Sequence, residues 1–393
     1  MSRPIITGID IGTYHVKVVI AHPATKSSSA PVIIGTGVSE SRGIRHGYIT
    51  SVHDIGRSIR AALDEAERKA KVKVKRAFIS IGGIGLGSIT SQGATIVTRA
   101  DNEITQLDVK KAHEQSEHDI QASAILNRKI IHSVPLEYKI DGKKVLGKPE
   151  GMKAQRLEVK MLFITCLEHH LNDLIQAVEE AGVEVEDVMA SPLAASLVTL
   201  TKSQKIAGCV LANIGAETVS IAVFENNIPI SLEVFPIGST DITNDIALGL
   251  KVPLEEAEQI KIGAITGTSY PRKKLEEIIY ARLSDIFDLI EAHLKKIGRS
   301  GLLPAGIIIT GGGAGLGSIE DMAKISLRLP SRIGSVMSSQ DSRESFKDAT
   351  WAVAYGLCLF GISADEGPSL DSGARLVRTT KNNIIAWLKQ FLP

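Results

Sequence analysis

Asp10, Gly12, Thr13 and Lys17 fall within eight residues of one another, in the stretch Gly8-Ile-Asp-Ile-Gly-Thr-Tyr-His-Val-Lys-Val-Val-Ile20. Their types suit one task, the holding of a phosphate and its metal ion. Gly12 and Thr13 in a tight turn can bring backbone N–H groups against an anion. Asp10, at the end of the incoming strand, can face a magnesium ion or its water shell; Thr13 adds a hydroxyl, and Lys17 a point charge for phosphate oxygens. The pattern recurs in Val210-Leu-Ala-Asn-Ile-Gly-Ala-Glu-Thr-Val-Ser-Ile-Ala-Val-Phe224, with Asn213 in the place of Asp10, Gly215 in that of Gly12, Ala216 in the turn and Thr218 just beyond it. The offset, 213 − 10 = 203 residues, is about half of the 393-residue chain. Two related lobes are therefore expected, each lending a phosphate hairpin to a shared cleft.

A third glycine-rich turn lies in Ile307-Ile-Ile-Thr-Gly-Gly-Gly-Ala-Gly-Leu-Gly317, where an apolar strand enters a turn (Gly311, Gly312, Gly313) that can lie flat against a ligand. Ser318-Ile-Glu-Asp321 follows with the spacing of a capping box. A P-loop is excluded because no Gly-Lys-Ser/Thr occurs here, and a dinucleotide fingerprint because G-x-G-x-x-G fits no register of this run or of Gly82 to Gly87.

The elements that must carry these turns alternate between strand and helix. Val32 to Gly37 reads as a third strand, Ser51 to Lys71 as a helix with Ile55, Ile59, Ala62, Leu63 and Ala66 at helical spacing, and Ala77 to Ile81 as a further strand. Thr25 to Ala30 is a small polar turn. From about Gly85 to Lys160 the texture changes. Thr105-Gln-Leu-Asp108 resembles a capping box heading a charged helix through roughly Ala124, and the strand-like runs Lys129 to Tyr138 and Arg156 to Thr165 flank an Asp141-Gly142 turn. This is a small α+β insertion in an α/β lobe. The core resumes with a helix at Leu171 to Ala181, a strand at Val183 to Val188 and an apolar helix at Pro192 to Leu200. A long helix from Arg272 to Ile297 carries a continuous apolar stripe, a core face. Glu258 and Lys261, at i and i+3 on a shorter helix, read on their own as an ordinary surface ion pair.

Composition narrows the function classes. A formal net charge of +1 and 4% aromatic residues argue against a nucleic-acid binder. Cys166, Cys209 and Cys358 are odd in number and far apart, which fits a reducing compartment and no cysteine metal site. Met1-Ser-Arg-Pro runs straight into the first strand, so no signal peptide is expected. The longest apolar run, about Trp351 to Ala364, is too short to span a bilayer. At the other end, Thr379 to Leu392 places Ile384, Ile385, Leu388, Phe391 and Leu392 on one helical face with Trp387 beside them, after a Gly/Ser/Asp-rich stretch. That pattern suits an amphipathic helix lying in the interface of an anionic lipid membrane, or a terminal helix packed on the body.

Strand–turn–strand, its distant copy, then strand–Gly-Gly-Gly–helix is the order of the two phosphate loops and the adenosine loop of the actin/Hsp70/sugar-kinase superfamily, and the chain resembles that superfamily over most of its length. Within it, Ile131-His132-Ser-Val-Pro135, Tyr138, Asp141-Gly142, Lys148-Pro-Glu-Gly-Met152 and Arg156-Leu-Glu158 resemble the insertion typical of the FtsA family, actin-like proteins of bacterial cell division. Gly238, Thr243-Asn-Asp245 and Ala257-Glu258 with Lys261 look like further signatures of that family.

The resemblance implies an actin-like α/β fold, two lobes around a nucleotide cleft, with an SHS2-like insertion. The implied divisions are residues 1–84, 162–195 and 355–364 as the first-lobe core, 85–161 as the insertion, 196–240 and 302–354 as the second-lobe core, 241–301 as its helical subdomain, 365–378 as a linker and 379–393 as a membrane-targeting helix. It further implies ATP and Mg2+ as cofactors, with Gly12, Thr13, Lys17, Gly215, Ala216, Thr218, Glu258, Lys261 and Gly311 to Gly313 holding the nucleotide, Glu258 and Lys261 at the adenosine. Filament formation, binding of the FtsZ tail through the helical subdomain, contacts with other division proteins through the insertion, and a place on the cytoplasmic face of the membrane at the division site are implied too. Hydrolysis is expected to be slow at most, because Asn213 replaces a carboxylate and Ser191 stands where relatives of the superfamily orient the attacking water; Asn supplies no base. The alternatives are a PilM-like scaffold of type IV pilus assembly, which lacks a lipid-binding tail, and a small-molecule kinase on the same fold, which needs a carboxylate base that the sequence does not offer.

Overall fold

The computed structural model describes residues 4–23, 31–264, 270–336 and 348–365. The first lobe opens with β1 (Ile6–Ile11) and β2 (His15–His22), continues through β3 (Val32–Glu40) and the short hairpin β4 (Ile44–Arg45) and β5 (Tyr48–Ile49), and then runs α1 (Val52–Ala70) and β6 (Arg76–Ile81). Ser51 caps α1 by accepting the Asp54 N–H, and Lys71 ends it in the left-handed region. The insertion comprises β7 (Gly87–Ile96), α2 (Gln106–His118), α3 (Ala122–Ile125), β8 (Arg128–Ile140), β9 (Lys143–Val145) and β10 (Arg156–Leu167). The chain returns through α4 (Glu168–Glu180), β11 (Glu184–Ala190) and α5 (Ser191–Thr199).

The second lobe follows with α6 (Lys202–Ala207), β12 (Cys209–Ile214), β13 (Val219–Glu225), β14 (Ile228–Phe235), α7 (Ser239–Leu250), α8 (Leu254–Lys261), α9 (Arg272–Lys296), β15 (Ile307–Thr310), α10 (Ile319–Leu327) and β16 (Ser331–Ile333), and the chain recrosses to the first lobe in α11 (Ala352–Asp365). Single 3-10 turns at Gly312–Gly315 and Ala349–Trp351 precede α10 and α11. The two large sheets have the orders β11-β6-β1-β2-β3 and β16-β15-β12-β13-β14. The two orders correspond position by position, and each pair of neighbouring strands has the same parallel or antiparallel sense in both sheets, so the duplication read from two hairpins extends to five strands in each lobe.

Period-two alternation divides the second-lobe sheet between two cores. Val210, Ala212 and Ile214 of β12 face the helices of their own lobe, whereas Cys209 and Leu211 face the core shared with the first lobe. Both faces are buried, which is why these strands are nearly continuous apolar runs. Between the lobes α5 crosses α11 so closely that a Cβ on Gly356 would stand 1.9 Å from the Ala194 carbonyl oxygen. Only glycine permits this crossing.

In the insertion, Leu157, Val159, Met161 and Phe163 of β10 point into a small core under α2. The Thr105–Asp108 capping box forms, with the Thr105 N–H donating to Asp108 Oδ2 at 2.9 Å. The expected helix through Ala124 stops at His118 instead, because the last turn tightens through an Ile120 N–H to Glu117 bond and carries Ile120 onto the insertion core. Ser318 is also corrected: it stands at the N-cap of α10 but makes no side-chain cap bond. No described helix is long and apolar enough to cross a membrane. The expected polar turn at Thr25 to Ala30 and the tail residues Ile384, Ile385, Trp387, Leu388, Phe391 and Leu392 lie outside the described residues, as does the expected linker beyond Asp365.

Candidate functional site

The two hairpin turns close in the same way at equivalent positions. The Gly12 N–H donates to the His15 carbonyl at 3.2 Å and the Gly215 N–H to the Thr218 carbonyl at 2.9 Å, again 203 residues apart. These two glycine N–H groups are therefore spent inside the turns, which corrects the expectation that Gly12 itself would meet an anion. The N–H groups of Thr13 and Tyr14, and of Ala216 and Glu217, have no protein acceptor among the described residues. Both turns open into one cavity of about 690 Å³ between the lobes, a volume suited to a nucleotide-sized ligand. Asp10, Gly12, Thr13, Lys17, Asn213, Gly215, Ala216, Thr218, Glu258, Lys261, Gly311, Gly312 and Gly313 all line it.

The floor is built from strand ends. Ser80 of β6 sits beside Asp10 of β1 and donates to Oδ1 at 2.9 Å; Thr310 of β15 sits beside Asn213 of β12 in the equivalent register and donates instead to the Ala349 carbonyl at 3.0 Å. Burial pushes the Asp10 carboxyl up, against the opposing pull of Lys17 and the Ser80 hydroxyl. Burial likewise lowers Lys17, against Asp10 and Asp348. Lys17 and Asp10 are cross-strand partners on the hairpin, and the Lys17 ammonium donates to the Thr350 carbonyl at 2.8 Å. Asn213 Oδ1 lies under Gly311, whose left-handed φ of 88° turns the third loop across the floor.

A divalent ion here would have Asp10 as its strand-end carboxylate and would need phosphate oxygens and water for the rest. Among the described residues no group of three or more His, Cys, Asp or Glu could hold a metal alone. One carboxylate with ligand phosphates is the donor set that magnesium prefers, so the residues fit the ion.

The far end of the cavity belongs to the second lobe. Glu258 and Lys261 form an ion pair at 2.7 Å on α8, with the Lys261 side chain only 8% exposed. The reading of a plain surface pair is therefore overturned: the pair faces the cleft. Across the mouth, the Glu217 carboxylate accepts the His46 N–H at 2.5 Å and pairs with Arg45 at 3.1 Å, linking the second hairpin to the β4–β5 hairpin of the first lobe.

Several cavity residues were not found from the sequence. Asp348 accepts both the N–H and the hydroxyl of Thr350, each at 2.8 Å, and Trp351 places its ring 5.6 Å from the Lys17 ammonium. Gly82 and Gly83 follow Ser80 in the first lobe as Gly312 and Gly313 follow Thr310 in the second, and that likeness is the signal that could have revealed Gly82 and Gly83. Ser191 lines the cavity and donates to the Ile81 carbonyl at 2.9 Å.

Comparison with known proteins agrees with this geometry. The family model described as "Cell division protein FtsA" matches residues 210–356, and that described as "SHS2 domain inserted in FTSA" matches residues 83–165. The cell division protein FtsA of Pseudomonas aeruginosa is 30% identical over 383 residues, covering 92% of this chain and 90% of the relative. Among solved structures, the PilM-PilN type IV pilus biogenesis complex is similar with a TM-score of 0.67 at 16% identity, covering 92% of this chain and 99% of that one. MreB5 of Spiroplasma citri bound to ADP is similar with a TM-score of 0.52 at 13% identity, covering 91% and 96%. The fold is thus actin-like, with an SHS2-type insertion in the first lobe.

Proposed function

The chain belongs to the FtsA family of cell division proteins, and on that premise we propose that it binds ATP with Mg2+ between its lobes, polymerises on the cytoplasmic face of the membrane at the division site and anchors FtsZ filaments there. The observation that carries the nucleotide part is the convergence of two equivalent turns, each with N–H groups that have no protein acceptor among the described residues, on a cavity that also holds Lys17 and Asp10. The neighbouring MreB5 was solved with ADP, which supports the same use of the cleft.

In this reading Thr13, Ala216 and Thr218 cradle phosphates together with Lys17, Asp10 orders the water around magnesium, and Gly311 to Gly313 lie against the nucleoside. Bound magnesium would neutralise phosphate charge. Turnover is slow at most, because Asn213 supplies no base. The helical part of the second lobe, residues 241–301, takes the FtsZ tail, the insertion meets neighbouring protomers or other division proteins, and the segment 379–393 supplies the lipid anchor through apolar burial beside basic residues.

The test is sedimentation of the full chain, and of a truncation ending at Ser372, with anionic liposomes and FtsZ filaments, with and without ATP. The expected result is that FtsZ pellets with liposomes only when the full chain is present. Pelleting with the truncation, or no pelleting of FtsZ with either, overturns the anchor reading.

A further inference from the structure

We propose that Ser41 is a positioning residue for the first phosphate turn: its hydroxyl fixes the Gly12–Thr13 peptide so that the Thr13 N–H points into the cleft. This rests on the nucleotide reading above and adds to it the means by which the first lobe aims its donor.

Ser41 directly follows β3 and is not among the residues that line the cavity. It nevertheless grips the turn at two carbonyls. Its hydroxyl donates to the Gly12 carbonyl at 2.7 Å, and its N–H donates to the Tyr14 carbonyl at 3.0 Å. A hydroxyl has one proton to give, and this one is spent on Gly12. No other donor reaches that carbonyl among the described residues. In a planar trans peptide the C=O and the N–H that follows it point in opposite directions. Holding the Gly12 carbonyl toward Ser41 therefore turns the Thr13 N–H the other way, to the side on which Thr13 lines the cavity.

The second lobe does the same work without a side chain. The Gly215 carbonyl, equivalent to that of Gly12, accepts the Ser239 N–H at 2.9 Å, and the Ala216 carbonyl accepts the Thr240 N–H at 2.8 Å. Both donors are backbone groups in the first turn of α7, where N–H groups have no acceptor within the helix. That turn is aimed by main chain alone. In the first lobe the chain leaving β3, the strand equivalent to β14, starts no helix at this point and runs into the β4–β5 hairpin. One hydroxyl stands in for the helix end, so the aim of the first turn depends on a group that a single substitution removes.

The experiment measures equilibrium binding of ATP with Mg2+, and of adenosine, which carries no phosphate, to the full chain and to Ser41→Ala, Ser41→Thr and Ser41→Cys. Ser41→Ala is expected to weaken ATP by about tenfold, as for one misdirected bond to a charged group, and to leave adenosine within about twofold of wild type. Ser41→Thr keeps the hydroxyl and should recover ATP affinity to within about threefold of wild type. A merely structural role would weaken ATP and adenosine in step, which overturns the proposal. Should Ser41→Ala not fold, Ser41→Cys, whose thiol is a weak donor, takes its place, and undiminished ATP affinity there also overturns it. Wild type that binds ATP no better than Ser41→Ala does refutes the role of Ser41 and leaves the cleft assignment standing; wild type that binds neither ligand refutes the cleft assignment itself.

Discussion

Lys17 and Thr350 are 333 residues apart, yet the ammonium of one donates to the carbonyl of the other at 2.8 Å. The bond ties the first phosphate hairpin to the turn that starts α11, and the adjacent carbonyl, that of Ala349, is held from the second lobe by Thr310. Consecutive carbonyls are thus gripped by opposite lobes.

Phosphate bound at Lys17 would compete for the same ammonium and alter its contact with Trp351. The chain has two tryptophans. With Trp387→Phe removing the other, titration with ATP and Mg2+ should change the Trp351 emission, and Lys17→Ala should weaken binding by roughly ten- to a hundredfold, as expected for one lost charge-assisted bond. Unchanged affinity in Lys17→Ala would place the phosphates elsewhere.

Gly311 and Gly312 are adjacent but should fail differently. A Cβ at Gly311 would lie 2.4 Å from Asn213 Oδ1 at a φ of 88°, whereas one at Gly312 meets nothing within 4 Å. Gly311→Ala should cost stability, about 1–3 kcal/mol. Gly312→Asp should melt like wild type while losing nucleotide through repulsion. Thermal melts beside binding isotherms separate the two effects, and a well-folded Gly312→Asp that binds ATP normally would remove the third loop from the site.

His132 should govern part of the acid limb of stability. Burial lowers its pKa from 6.5 to about 3, and its Nε2 accepts the Ala190 N–H at 3.1 Å. Between those pH values the unfolded chain binds a proton that the folded chain does not, so this contribution is complete above pH 6.5 and is lost as pH falls, by about 2 kcal/mol at pH 5. Urea denaturation of His132→Gln across pH 7 to 4.5 should show a slope shallower by one proton; an identical slope would contradict the assignment.

Glu217 offers a contrast of magnitudes. Its partner Arg45 is 71% exposed, so the ion pair itself contributes little, whereas the His46 N–H beside it is partly buried. Glu217→Gln keeps an acceptor and should cost under about 0.5 kcal/mol, while Glu217→Ala orphans the N–H and should cost about 1–2 kcal/mol. Equal denaturation midpoints for the two variants would show that this bond does not hold the lobes.

What the sequence determined by itself were features written locally: hairpin turns, helix caps, the period-two and 3.6-residue apolar patterns, and a repeat at 203 residues that pointed to two lobes. Thr105 and the stripe on α9 behave as their spacing required, since each depends on neighbours within a few positions. Tertiary structure alone decided which groups meet. It brought Asp348, Thr350 and Trp351 to Lys17, saturated Lys261 with partners on two helices, and withdrew the Gly12 N–H into its own turn. Such pairings depend on chain segments closed over long loops, and residue type and spacing carry no record of which carbonyl a lysine will reach.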